Sequence, residues 1–259
     1  MPSQEAILSC LDVTVRFGGV QALSEVEFRA ATGAITSIIG PNGAGKTTLL
    51  NAISGMVGLS SGRIEFFGRD VTALPAHRRS RAGMVRTFQN LEIFTNMSVI
   101  ENAMAGCHAR TRYPVLDCLL TTPRARAAER LIREQALEAL DFVGLSDYRD
   151  MPAKELPFGR QRLLELARAL AARPKLLLLD EPAAGLNIRE TRALGEIVRR
   201  IRAEMDVSVV LVEHDMDLVM GVSDEIMVLC FGQAITRGEP AKVQKDPEVI
   251  AAYLGTDGD

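Results

Sequence analysis

The sequence has no paired-cysteine motif, no large excess of either charge, no long apolar run and no internal repeat, and each absence removes a class of protein. Cys10, Cys107, Cys118 and Cys230 stand far apart without CxxC spacing, which argues against a zinc site or a disulfide framework and fits a reducing compartment. Lys and Arg number 30 against 33 Asp and Glu, for a net charge of -3. There is thus no general attraction to nucleic acid or acidic membranes, and no nucleic-acid partner is expected. The opening MPSQEAILSC lacks the basic-then-apolar layout of a signal peptide, and no apolar run approaches the ~20 residues that cross a bilayer. If a membrane is involved, another chain is expected to span it. At 259 residues the chain can bury one large core, or a core plus a smaller lobe, without disulfide or metal staples.

What is present reads as an α/β chain. Residues 6 to 39 read as strands: ILSCLDVTVRF and ALSEVEFRA look like an antiparallel edge layer, and the near-continuous AITSIIG suits a buried strand. A glycine-rich turn then leads into the helical TTLLNAISGM, and SSGRIEFFGRD reads as a strand between glycine turns. From about 92 to 155 the character becomes helical. In RARAAERLIREQALEALDFVGL, residues Ala128, Leu131, Ile132, Ala136, Ala139, Leu140 and Val143 mark one face. LLLLD at 176–180 and VSVVLVEH at 207–214 then alternate with helices, so a mostly parallel sheet resumes. EIMVLC and QAITRG form a late hairpin, and PEVIAAYL a closing helix. The expected organisation is a single domain over 1–259, with an α/β core and β layer in 1–91 and 172–259 and a helical subdomain in 92–171. The stretch around TRYPVLDCLLTTPR reads as a loop.

The chemistry concentrates in a few segments. Gly40, Pro41, Asn42, Gly43, Ala44, Gly45, Lys46, Thr47 and Thr48 match G-x-x-x-x-G-K-[ST] between a buried strand and a helix. The glycines let backbone N-H groups turn inward around phosphate oxygens, and the helix N-terminus favours negative charge. Lys46 is expected on the β- and γ-phosphates, and Thr47 on Mg2+ through its hydroxyl. In LLLLDEP, an apolar strand delivers Asp180 and Glu181 to the sheet's carboxyl edge, where open α/β sheets bind ligands. Asp180 is expected to hold Mg2+ and Glu181 to act as general base on the attacking water. His214 ends another strand and can reach a γ-phosphate; as a lone histidine it is equally readable as structural. Gln89, in VRTFQN, can reach Mg2+ or water through its amide.

The order of these pieces resembles the nucleotide-binding subunits of ABC transporters: phosphate loop, glutamine, helical insertion, glycine junction, carboxylate strand, histidine. The resemblance covers nearly the whole chain and implies a P-loop NTPase (RecA-like) core. It also implies two subunits meeting head to tail, each ATP lying between the phosphate loop of one and the signature segment of the other. LPFGRQ at 156–161 occupies the place of Leu-Ser-Gly-Gly-Gln, which would bring Gly159 and Arg160 to ATP, with Pro157 where a serine hydroxyl is usual. Ala184, Gly185, Leu186 and Asn187 fall on the D-loop, Asn187 where many members carry aspartate. Phe17 corresponds to the aromatic that stacks on adenine, its other reading being an edge-strand packing residue.

AGMVRTFQNLEIFTNMSVIENAMAG, DEPAAGLN and GEPAKVQKDPEVIAAYLG are similar to the LivG-type ATP-binding subunits that energise branched-chain amino acid uptake. That resemblance implies an importer subunit peripheral to the cytoplasmic face of the membrane, with two transmembrane permease subunits, an external substrate-binding protein and a second ATP-binding subunit, expected to be a related chain in a heterodimer. Leu91, Ile93, Phe94, Met97 and Val99 offer an apolar groove for a permease helix, or equally the lobe's own core. A urea or amide importer subunit, a soluble non-transport ABC ATPase and a regulatory module that uses ATP only to dimerise are the competing readings. The absence of coiled-coil arms, tandem cassettes and basic linkers weighs against the second, and Glu181 with His214 against the third.

Overall fold

The computed structural model describes residues 5–108 and 122–254. Most of TRYPVLDCLLTTPR, and Cys118 with it, lies outside the described residues. Two compact units emerge, one formed by the chain up to Arg86 and from Lys175 onward, the other by Thr87–Pro174. The helical unit therefore starts at Thr87 rather than 92 and ends at Pro174 rather than 171.

The first unit contains two sheets. In one, β1 (Ala6–Phe17) pairs antiparallel with β2 (Val20–Ala31) and with β4 (Ser61–Phe66), and β5 (Arg69–Asp70) closes the order β2-β1-β4-β5. β2 buries Leu23, Val26, Phe28 and Ala30 on one face, as an antiparallel layer with one wet side must. SSGRIEFFGRD is thus two strands rather than one, with the turn at Phe67 and Gly68.

The other sheet runs β10-β9-β3-β8-β7-β6. β3 (Ile35–Ile39), β6 (Met84–Arg86), β7 (Leu176–Asp180), β8 (Ser208–Val212) and β9 (Glu225–Cys230) are parallel, and β10 (Gln233–Gly238) returns antiparallel to β9. Every residue of β3, β7 and β8 is buried, which is why these segments read as near-continuous apolar runs. Parallel pairing brings their carboxyl ends to one edge: Ile38 of β3 and Asp180 of β7 are both in register with Val212 of β8.

Helix α1 (Lys46–Ser54) joins the layers. A single apolar cluster runs from Leu8, Val13 and Phe28 through Leu49, Leu50 and Ile53 to Leu176, Leu178 and Val210, each large side chain contributing about 1.5–3 kcal/mol on burial. The far end of α1 is closed by Arg79, on α2 (Ala76–Ala82), whose buried guanidinium donates to the carbonyls of Ala52 and Ile53 at 2.8 and 2.7 Å. A cation at a helix C-terminus satisfies open carbonyls and complements the dipole. Helices α6 (Ile188–Met205) and α7 (Met216–Val222) lie in the connections around β8. The short α8 (Pro240–Val243) and α9 (Pro247–Leu254) follow β10, and Val243 and Val249 pack with Ile39, Val219, Ile226 and Val228.

The second unit packs α3 (Val99–Cys107), α4 (Pro123–Phe142) and α5 (Phe158–Ala171) together. Ser98 and Glu101 form a capping box at the start of α3. Helix α4 buries Ile132, Ala136, Ala139 and Leu140, but Leu131 is exposed, a correction to the face assigned from periodicity. Helix α5 starts at Phe158, so Gly159 belongs to its first turn rather than preceding it.

Candidate functional site

The phosphate loop follows β3 directly. Gly40, Gly43 and Gly45 all have positive φ, 149°, 77° and 101°, and a Cβ at Gly40 would lie 2.0 Å from the carbonyl oxygen of Leu229 on the neighbouring strand. The loop conformation therefore demands glycine where the motif has it. Lys46 opens α1 with its side chain folded back over the loop, Nζ donating to the carbonyls of Gly40 at 2.7 Å and Pro41 at 3.0 Å. Burial holds this ammonium below the usual lysine range, while Glu181 and Asp180 pull it back up. Thr47 is exposed and Thr48 half-buried at the helix N-terminus.

Asp180 ends β7 with 1 % of its surface exposed. One carboxylate oxygen, Oδ2, accepts from Arg86 Nη2 at 2.8 Å; the other, Oδ1, is buried and has no hydrogen-bond partner among the described residues. A buried carboxylate oxygen left open is the arrangement a divalent cation satisfies, so the donor set fits magnesium. No group of three or more His, Cys, Asp or Glu that could hold a metal exists among the described residues. Magnesium does not require one, since it takes one or two carboxylates, a hydroxyl and phosphate oxygens.

Glu181, next in the chain, has φ of +47°, and its N-H donates to the carbonyl of Val212 at 2.8 Å. Left-handed backbone at a non-glycine residue costs about 1–3 kcal/mol and clusters at functional sites. The turn carries the chain off the end of β7, and both carboxylates, Glu181 and Asp180, act on the Lys46 ammonium. His214 Nδ1 lies 3.9 Å from Oε2 of Glu181 and 3.9 Å from Oε2 of Glu213, with 64 % of the side chain exposed.

Sequence reasoning passed over two charged residues here. Glu213 is fully buried, accepting from the Ala183 N-H at 2.7 Å and the His214 N-H at 3.0 Å. It holds together the turns after β7 and β8, on which Glu181 and His214 stand. Burial pushes its carboxyl above the ordinary range, against the pull of the backbone donors of Ala183, His214 and Asp215. Arg86 closes the short strand β6. Its other arm, Nη1, donates to Asn51 Oδ1 at 2.7 Å and Ser54 Oγ at 3.0 Å on α1.

Asn187 caps α6, its Oδ1 accepting from the N-H groups of Arg189 and Glu190 at 3.0 and 3.1 Å, so the side chain is engaged locally. Phe17 ends β1 opposite Val20 and is half exposed, which sets aside its reading as a packing residue.

The remaining predicted residues belong to the helical unit. Gln89 is exposed, and its carbonyl accepts from Arg162 Nη2 of α5 at 2.6 Å. Arg162 also pairs with Glu165 at 3.3 Å in the interior of the unit, a buried ion pair that helical periodicity gave no reason to expect. Burial raises the Glu165 carboxyl while Arg162 lowers it. Pro157 is the N-cap of α5 and supplies no side-chain bond, leaving the first-turn N-H groups of Phe158, Gly159 and Arg160 as the helix's open donors. The Arg160 guanidinium lies 4.2 Å from the centre of the Tyr148 ring. Of the proposed groove, Phe94 and Met97 are exposed and Leu91 and Ile93 half-buried, whereas Val99 is wholly buried in the unit's own core, so Val99 is withdrawn from it. Asn102, fully buried, holds Phe94 in place by accepting from its N-H at 2.8 Å and donating to its carbonyl at 2.9 Å.

The chain is similar to known proteins in sequence and in fold. A family model for the ABC transporter matches residues 23–184, and one for the branched-chain amino acid ATP-binding cassette transporter matches residues 235–259. The chain is 41 % identical to the high-affinity branched-chain amino acid transport ATP-binding protein BraF of Pseudomonas aeruginosa, over 96 % of this chain and 98 % of that protein. It is 39 % identical to the corresponding LivG protein of Escherichia coli K12, over 97 % and 98 %. A solved ATP-binding cassette of an ABC transporter in its ADP conformation superposes with a TM-score of 0.84 at 33 % identity, covering 96 % of this chain and 99 % of that one.

Proposed function

This chain belongs to the ATP-binding cassettes of ABC transporters, and from that premise we propose that it hydrolyses ATP to drive the uptake of branched-chain amino acids through separate membrane permeases. The observation that supports the hydrolytic part is the convergence, at one sheet edge, of the phosphate loop with the carboxylates of Asp180 and Glu181, both of which act on Lys46. Similarity to BraF and LivG over nearly the full length carries the choice of solute.

In this reading the loop from Gly40 to Gly45 wraps the phosphates with its N-H groups, and Lys46 exchanges its two carbonyl partners for β- and γ-phosphate oxygens. Phosphate charge then compensates an ammonium that burial disfavours. Thr47 and Asp180 are the residues that would hold magnesium, and the Gln89 amide is the further ligand this reading assigns. Magnesium, when bound, neutralises charge on the β- and γ-phosphate oxygens. Glu181 takes the proton from a water whose oxygen attacks the γ-phosphorus, while the bond to the ADP oxygen breaks. His214, exposed and within 3.9 Å of Glu181, hydrogen-bonds the γ-phosphate. Phe17 stacks on adenine.

The second ATP-binding subunit, a related chain in a heterodimer, receives the open N-H groups of Phe158, Gly159 and Arg160 on its own γ-phosphate. Asn187 stands at the junction of the two sites. Leu91, Ile93, Phe94 and Met97 meet a permease helix at the cytoplasmic face of the membrane. No helix among the described residues is long and apolar enough to cross a membrane, so the bilayer path falls to the permeases, fed by an external substrate-binding protein. The test is ATP-dependent uptake of leucine, isoleucine, valine and urea into vesicles bearing the assembled complex. Uptake of the three amino acids without urea is expected; urea uptake alone would move the chain to the amide importers.

A further inference from the structure

We propose that Arg86 is the positioning residue that keeps Asp180 ready for magnesium, by holding one oxygen of the carboxylate and tying it to the helix that leaves the phosphate loop. This rests on the reading of Asp180 as the metal carboxylate. Arg86 ends β6, in the edge position beside β7, where its backbone registers with Leu178. From there its guanidinium reaches in two directions, to Asp180 Oδ2 at 2.8 Å and to Asn51 Oδ1 and Ser54 Oγ at 2.7 and 3.0 Å. Both members of the ion pair are buried, with side-chain exposures of 6 % and 2 %.

Three physical consequences follow from this geometry. A carboxylate at 1 % exposure is expensive to keep ionised without a counter-charge, and Arg86 supplies it in the absence of any metal. Because Oδ2 is taken, Oδ1 is the oxygen left to offer, and it is the one without a partner. The planar fork, fixed at its other arm by two residues on successive turns of α1, sets the carboxylate's orientation relative to the helix whose N-terminus carries Lys46 and Thr47. Outer partners of metal ligands that orient them in this way typically alter metal affinity by about 10–100-fold when removed.

The readout is the magnesium response of nucleotide binding, taken as the ratio of dissociation constants for fluorescently labelled ADP in EDTA and in magnesium, together with the melting temperature of the purified chain. Arg86→Gln is expected to reduce that ratio about tenfold while leaving the affinity in EDTA within about twofold of wild type. Arg86→Lys should recover the magnesium response more fully than the melting temperature, because it returns a charge beside Asp180 but cannot make all three hydrogen bonds at once. A purely structural Arg86 would move the melting temperature and leave the ratio alone in both variants, and that result would overturn the inference. If Arg86→Gln does not fold, the decision passes to Arg86→Lys and to the double variant Asn51→Ala with Ser54→Ala, which removes both partners of Arg86 on α1 and leaves the ion pair; a wild-type ratio in both overturns it. Asp180→Asn separates the two levels: should it keep the wild-type ratio, the metal reading itself is wrong, whereas loss there with a wild-type ratio in the Arg86 variants refutes the role of Arg86 alone.

Discussion

Glu213 touches no phosphate, yet it holds the turns that carry Glu181 and His214 by accepting from the N-H groups of Ala183 and His214. Its carboxyl is buried beneath the two turns that present Glu181 and His214, and burial outweighs its backbone donors, setting it above its ordinary 4.5. The folded chain thus binds this proton more tightly than the unfolded chain. Stability from this source is full below the unfolded value and is lost as pH rises through the raised folded value. Glu213→Gln does not titrate, so the unfolding free energy of the wild type minus that of the variant should shrink as pH climbs above about 4.5. Urea unfolding across pH 4 to 8 measures it, and a difference independent of pH would contradict the assignment. Lys46 carries the opposite perturbation, a cation disfavoured by burial, and phosphate is the ligand that relieves it.

At the scale of elements, the helical unit depends on one close crossing. A Cβ at Gly106, near the end of α3, would stand 1.9 Å from the carbonyl oxygen of Arg168 in α5, so the two helices meet at a distance only glycine allows. Gly106→Ala is expected to cost about 1–3 kcal/mol as the helices are forced apart, read by thermal unfolding; an unchanged melting temperature would mean the crossing relaxes without loss. This contact was illegible in the sequence, where Gly106 sits unremarked in a helical run, because the neighbour it accommodates lies 62 positions along the chain. Apolar periodicity fared better where burial is complete. β3, β7 and β8 were readable as runs because every position is buried. Leu131 falls on the exposed side because the same period fits a core face and an exposed one, and Val99 takes the second of its two readings, the lobe's own core. The buried pairs Arg86 with Asp180 and Arg162 with Glu165 escaped notice, since a charged residue on a helix or edge strand reads as solvated until its partner from another element is known. The glycines, lysine and paired carboxylates were found because each is required by local chemistry within a few residues.

For the molecule as a whole, the near-balanced charge and the exposed Phe94 and Met97 suit a subunit that docks by protein contacts. On the proposed function, ATP hydrolysis at Glu181 powers uptake. The direct measurement is phosphate release together with leucine uptake in proteoliposomes holding the complete transporter, comparing wild type with Glu181→Gln. Removing the general base while keeping the side chain's shape should lower both rates together by about 100-fold or more, with ATP affinity within about twofold of wild type. Undiminished phosphate release in the variant, or uptake that persists after release has stopped, would contradict the account.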